Sequence, residues 1–172
     1  MNQLKCAYFK NGMLYDLSPR NNPDSLYEDR DIAYSADIII LDGITYDLSV
    51  KEDIASIPIP NFAASWDCTS ELSYILKIRC GSEKNKDLIP VFVEKVLSLM
   101  QASYMLWRSC DYFQVIRNYY RCGLFSEGDA FEKEFRKINP KLFSDPAIQK
   151  HELDHERTKK YFKKKYEKRT RT

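Results

Sequence analysis

Along this chain the spacing of apolar positions changes near residue 60. Before that point, short β-prone runs end in turn dipeptides: Cys6-Ala7-Tyr8-Phe9-Lys10 leads to Asn11-Gly12, and Asp37-Ile38-Ile39-Ile40-Leu41 leads to Asp42-Gly43. Asn-Gly and Asp-Gly suit the type I′ turn, which needs positive φ at both central positions. The pattern therefore predicts two β-hairpins, strands 5–10 with 13–17 and 37–41 with 44–47. They are copies, because Asn11-Gly12-Met13-Leu14-Tyr15-Asp16-Leu17-Ser18 returns 31 residues later as Asp42-Gly43-Ile44-Thr45-Tyr46-Asp47-Leu48-Ser49. Asp16 and Asp47, in the copied Tyr-Asp-Leu-Ser, are expected to bond backbone amides of the turn after each strand. Ser49-Val50-Lys51-Glu52 has the form of a capping box and predicts one or two helical turns before Ile57. Pro58-Ile59-Pro60 then forces extended backbone and marks the end of the β region.

Beyond it, apolar residues recur every three or four positions, the period of an amphipathic helix. This half is also duplicated. Cys68, eleven residues and Cys80-Gly81 are matched by Cys110, eleven residues and Cys122-Gly123, at a period of 42. Leu72, Ile75 and Leu76 lie between the cysteines of one copy, and Tyr112, Val115, Ile116 and Tyr119 between those of the other, so each unit reads as helix, glycine turn, helix. Thr69 or Ser70, Asp87, Asp111 and Ser126 are the expected N-caps, with Asp129 completing a capping box after Ser126. Ser144-Asp145-Pro146 should open one last helix over 146–168.

The second copy resembles a tetratricopeptide repeat. Tyr112, Val115, Tyr119, Gly123, Gly128, Phe131 or Phe135, and Pro140 fall at that pattern's spacings over about 30 residues. Ile116 stands where the pattern usually has a small residue, and Gly128 and Glu134 where it has alanines. The resemblance extends over roughly 68–140 and implies stacked helical hairpins with a concave binding face, for which Tyr74, Arg79, Tyr112, Arg117, Tyr120 and Arg121 are the candidate lining residues. Tyr and Arg dominate the energetics of protein interfaces. The expected fold is α+β: a β-hairpin region at 1–60, two tetratricopeptide-like hairpins at 61–143 and a C-terminal helix at 144–172.

Composition adds that 44% of the 172 residues are hydrophobic, enough for a buried core. No apolar run approaches the roughly 20 residues of a membrane-spanning helix, so no membrane association is expected. Five cysteines without a Cys-x-x-Cys pair, and a start lacking the apolar stretch of a secretory signal, point to reduced thiols and a cytoplasmic setting. The formal net charge of +2 conceals a split: residues 157–172 hold nine Lys or Arg against one Glu, which leaves −6 on residues 1–156. In that basic segment Lys159, Lys160, Lys163, Lys164, Lys165, Lys168 and Arg169 interleave with Tyr161, Phe162 and Tyr166. Such a mixture suits phosphate neutralisation and base stacking on single-stranded nucleic acid, and equally an acidic protein surface or a solvated helical cap.

One motif suggests catalysis. His151-Glu152-Leu153-Asp154-His155 matches the His-Glu-x-x-His of zinc hydrolases, in which two histidines one helical turn apart bind the metal and the glutamate acts as general base. The competing reading places both histidines on the packing stripe of Ile148, Phe162 and Tyr166. No Gly-rich phosphate loop, nucleophile elbow, kinase motif set or dinucleotide fingerprint occurs. The expectation is a non-enzymatic adaptor or inhibitor, of the kind a mobile element encodes, whose partner is another protein. The alternatives are nucleic-acid binding through the basic C-terminus and a zinc-dependent hydrolase using His151, Glu152 and His155.

Overall fold

A computed structural model describes residues 6–10, 13–16, 35–59, 66–80, 83–102 and 109–169. The protein is mostly helical with a small N-terminal sheet, an α+β fold. It divides into two compact units, Met1–Leu106 and Trp107–Thr172. In this division the β region groups with the first helical hairpin, and the second hairpin groups with the C-terminal helix. Internal similarity identifies copies of a unit but carries no information on which neighbour each copy packs against.

In the first unit, β1 (Cys6–Lys10), β2 (Met13–Asp16), β3 (Ile38–Leu41) and β4 (Ile44–Asp47) form one sheet in the order β2-β1-β3-β4. Both hairpins are antiparallel and meet through a parallel β1–β3 pair, Phe9 opposite Leu41. The turn Asp42-Gly43 has φ of 48° and 84°, the two positive values the dipeptide predicts. The turn at Asn11-Gly12 lies outside the described residues. Ala7, Phe9, Ile39, Leu41 and Tyr46 are buried together, which identifies the covered face of the sheet.

That face carries an offset between sequence and space. Counted from the two turns, Phe9 corresponds to Ile40, 31 residues on; across the sheet it pairs with Leu41, 32 residues on. Side chains alternate faces along a strand, so the extra residue inverts the phase of the second copy. The duplicated hairpins are thus related by a two-fold axis running along the strands between β1 and β3, which exchanges the faces.

After β4 comes α1 (Lys51–Ser56), whose N-cap is Val50 without a side-chain hydrogen bond. The predicted capping box at Ser49 does not form. Instead Asp47 accepts from the Ser49 amide at 2.8 Å and hydroxyl at 2.6 Å, while the Asp47 amide donates to Asp53 Oδ2 at 2.8 Å. The aspartate closes the turn as expected and so occupies the serine that would have capped the helix. α2 (Trp66–Cys80), a 3-10 turn (Glu83–Leu88) and α3 (Ile89–Ala102) complete the unit. Thr69 and Ser70 therefore lie inside α2 rather than at its start. α3 buries Ile89, Val91, Phe92, Val93, Val96, Leu97, Leu99 and Met100, so it is apolar on most sides and forms the centre of this core. Lys95 reaches from it to the Ile57 carbonyl at 2.6 Å, and burial lowers its pKa.

The second unit contains α4 (Ser109–Arg121), α5 (Phe125–Ile138), two single turns α6 (Pro140–Phe143) and α7 (Pro146–Gln149), and α8 (Glu152–Arg169). α4 ends in a Schellman motif, the Leu124 amide bonding the Tyr119 carbonyl at 2.9 Å and the Gly123 amide that of Tyr120 at 3.2 Å. Gly123 has φ +77°, and a Cβ there would lie 2.7 Å from Tyr166 Cε1 on α8. α5 begins at Phe125 after the N-cap Leu124, so Ser126 is helical and no capping box forms with Asp129. Asp145 does cap α7, accepting from the Ala147 amide at 2.8 Å. The single helix expected over 146–168 is broken at Lys150-His151. There the His151 amide bonds back only three residues, to Ile148 at 3.0 Å, which tightens the turn and lets α8 start afresh.

Candidate functional site

Three helices of the second unit converge on a buried carboxylate. Phe113, Arg117 and Tyr120 of α4, Asp129, Glu132 and Arg136 of α5, and Glu152, His155 and Lys159 of α8 each recur at helical spacing, so each set projects from one face of its helix. Tyr120 and His155 are 1% and 0% exposed, and the Glu132 side chain 6%. An acid this deep is costly unless fully bonded.

Glu132 meets that requirement. Its Oε2 accepts from the Tyr120 hydroxyl at 2.9 Å, His155 Nε2 at 3.0 Å and Lys159 Nζ at 3.1 Å. Its Oε1 accepts from Arg136 Nε at 2.9 Å and Nη2 at 2.7 Å. Five hydrogen bonds saturate the lone pairs of one carboxylate. Burial alone would raise the Glu132 pKa, but the bonds from His155, Arg136 and Tyr120 hold it well below the ordinary carboxylate range. Burial and the adjacent Glu132 push the Tyr120 hydroxyl far above its usual value. For Lys159, burial opposes the charge but Glu132 and Asp129 outweigh it, so its pKa is raised.

The network extends outward. Arg136 also forms a two-bond fork with Glu152, at 2.7 and 2.9 Å, and its guanidinium lies 4.4 Å from the centre of the Phe143 ring. His155 stacks on Phe113 with ring centres 4.5 Å apart. Its Nδ1 faces Arg117 Nε at 3.3 Å, and Arg117 in turn donates to Asp154 at 2.7 Å. Because Arg117 only donates, this geometry assigns the acceptor role to Nδ1 and the ring proton to Nε2, facing Glu132.

The His-Glu-x-x-His residues are thus separated in role. His155 has both ring nitrogens engaged by protein groups, Glu152 is held by Arg136, and His151 lies half-buried before the first residue of α8. Among the described residues the metal-type grouping is Glu132, His155 and Glu156, with ligand atoms within 4.8 Å of one another. Lys159 Nζ already sits against it, 3.1 Å from Glu132 and 3.6 Å from Glu156.

The six candidate lining residues have diverse positions. Tyr120 is interior, its hydroxyl turned to Asp129 and Glu132, so it offers no surface to a partner. Arg79 pairs with Asp37 and donates to the carbonyls of Ala36 and Ser35, which ties α2 to the residues preceding β3. Arg117 is committed to Asp154 and His155. Tyr112 is half-buried, whereas Tyr74 and Arg121 are exposed.

The basic candidates divide more sharply. Lys159 is turned inward and Lys165 is half-buried, whereas Lys160, Tyr161, Lys163, Lys164, Lys168 and Arg169 are exposed. Tyr166 is an anchor: its hydroxyl donates to the Arg121 carbonyl at 3.0 Å and its ring meets Phe125 edge-on at 5.6 Å. Arg157, the first residue of the basic segment, is exposed in the same helical phase as Lys160 and Lys164 and joins the candidates. Sequence reasoning missed Glu132, which stands with Gly128 and Phe135 in the buried phase of α5. Among the described residues no helix is long and apolar enough to cross a membrane. Compared with protein-family models, curated proteins and solved structures, the chain finds no match in any of the three.

Proposed function

We propose that this is a non-enzymatic binding protein that presents the outer face of α8 to an anionic macromolecule. The carrying observation is the opposition of two stripes on one helix. His155, Lys159, Phe162 and Tyr166 face inward. At 100° per residue, Arg157, Lys160, Lys164 and Lys168 lie about half a turn away. All four are exposed. The inward stripe fixes α8 through Glu132, Phe113 and the Arg121 carbonyl, so the outward cations belong to an anchored helix rather than a loose tail. The charge division supports the same reading: Trp107–Thr172 carries 17 basic and 10 acidic side chains, net +7, against 10 and 15, net −5, in Met1–Leu106.

The α4–α5 hairpin serves in this reading as a tetratricopeptide-like scaffold. Its support is Gly128, where a Cβ would come within 2.7 Å of Tyr119 Cβ, a helix contact that requires a small residue. The test is retention on immobilised heparin at low salt, repeated for a variant with Arg157, Lys160, Lys164 and Lys168 all changed to Glu. Wild type should be retained and elute with rising salt, and the variant should flow through. Equal elution of the two would refute the assignment of this face.

A protein partner is the second reading, favoured by Tyr74 and Ile78, each 43% exposed and one turn apart on α2. Co-purification from the native host should then lose a specific partner on Tyr74→Ala combined with Ile78→Ser.

A further inference from the structure

We infer that the anionic partner of α8 is a single-stranded nucleic acid, with phosphates held by Arg157, Lys160, Lys164 and Lys168 and a base stacked on Tyr161. The inference rests on the binding reading above and adds the class of partner.

Its basis is the sorting of the three aromatics in the basic segment. Phe162 is half-buried and Tyr166 is anchored to Arg121 and Phe125, so both serve the fold. Tyr161 is 61% exposed and lies in the outward phase, four residues after Arg157 and three before Lys164. Phe162 meets it at 67° with ring centres 5.4 Å apart, which braces the ring from the helix side. A braced aromatic loses little rotamer freedom when a partner covers it.

The four cations extend over about 16 Å of helix. An acidic peptide would satisfy them but offers no flat π-face to the tyrosine. A duplex would satisfy them too, yet it keeps its bases stacked inside. Only an unpaired strand presents phosphates and a free base together, and base–aromatic stacking is indifferent to sequence.

Fluorescence anisotropy with labelled oligo-uridine, an RNA duplex of equal length and a poly-glutamate peptide tests this on the full-length protein. The single strand should bind about tenfold more tightly than the duplex at equal salt, in keeping with the loss of one stacked base. The slope of log K against log salt should be about −3 for four neutralised phosphates. Tyr161→Ala should cost about tenfold on the single strand and leave duplex binding and heparin elution unchanged, while Tyr161→Phe retains wild-type binding. Lys164→Gln should weaken all polyanions and flatten the slope by about 0.7. Equal affinity for strand and duplex, indifference to Tyr161→Ala, or equal binding of poly-glutamate overturns the inference while heparin retention stands. Loss of heparin retention itself overturns the binding reading beneath it.

Discussion

Glu132 is the residue on which the second unit turns, because four side chains from three helices address its carboxylate. Glu132→Gln keeps the shape but leaves Arg136 and Lys159 facing a neutral amide in a buried place. Breaking one partner of a buried pair costs about 3–5 kcal/mol. Urea unfolding should show a lower midpoint with an unchanged slope. The pH dependence has a definite sign. The folded pKa of Glu132 lies below its unfolded value of about 4.3, so its contribution is complete above that pH and is lost as pH falls through the folded value. Wild type should therefore lose stability below about pH 4 along a steeper limb than Glu132→Gln. At the other end, Lys159 and Tyr120 are both raised, so what they contribute is present below their unfolded values of about 10 and disappears as pH rises through the folded ones. None of this was evident from residue identity. His-Glu-x-x-His drew attention as a motif, whereas Glu132 reads as an ordinary surface acid of an amphipathic helix unless its phase is followed from Phe125 through Gly128 to Phe135.

Among the elements, two glycines fix how the helices of the second unit approach. At Gly128 an added Cβ meets Tyr119 Cβ, an atom fixed to the backbone of α4, at 2.7 Å. Gly128→Ala gains about 1 kcal/mol of helix propensity but overpacks the crossing by about 1–3 kcal/mol, so a net loss is expected in thermal unfolding. At Gly123 an added Cβ meets the Tyr166 ring, which its bond to the Arg121 carbonyl and its contact with Phe125 hold in place. Positive φ adds about 1–2 kcal/mol. Measured in a Tyr166→Leu background, the cost of Gly123→Ala should fall to near that conformational share in a denaturant series. Elements of this type were the most legible part of the chain: Asp42-Gly43 and Gly123 each name a backbone conformation that few other residues adopt. Caps were less legible, since Asp47 and Glu52 both suit the Ser49 amide and sequence alone does not rank them. The break before α8 was invisible for a similar reason, because a three-residue bond at His151 leaves the apolar stripe in phase.

For the whole molecule, similarity along the sequence and compactness in space group the helices differently. The two cysteine-bounded helices, so alike in spacing, belong to different compact bodies. Arg79 and Glu132 accordingly anchor networks in different units, one on Asp37 and the carbonyls of Ser35 and Ala36, the other on Tyr120, Arg136, His155 and Lys159. Arg79→Met should cost about 2 kcal/mol through its lost charged hydrogen bonds. Combined with Glu132→Gln, the two losses should add within about 0.5 kcal/mol, and a larger deviation in the double variant would reveal coupling between the networks. The sheet carries a comparable lesson about duplication. Its hairpins share an Asn-Gly or Asp-Gly dipeptide and the sequence Tyr-Asp-Leu-Ser, yet they are not interchangeable. Writing the first strand into the place of the second, aligned on the turn, would set Tyr8 where Ile39 is and Lys10 where Leu41 is, a lysine in the covered face. A copied hairpin could join its parent here only by exchanging its inside for its outside, so the two copies keep a turn dipeptide but not the alternation that leads into it.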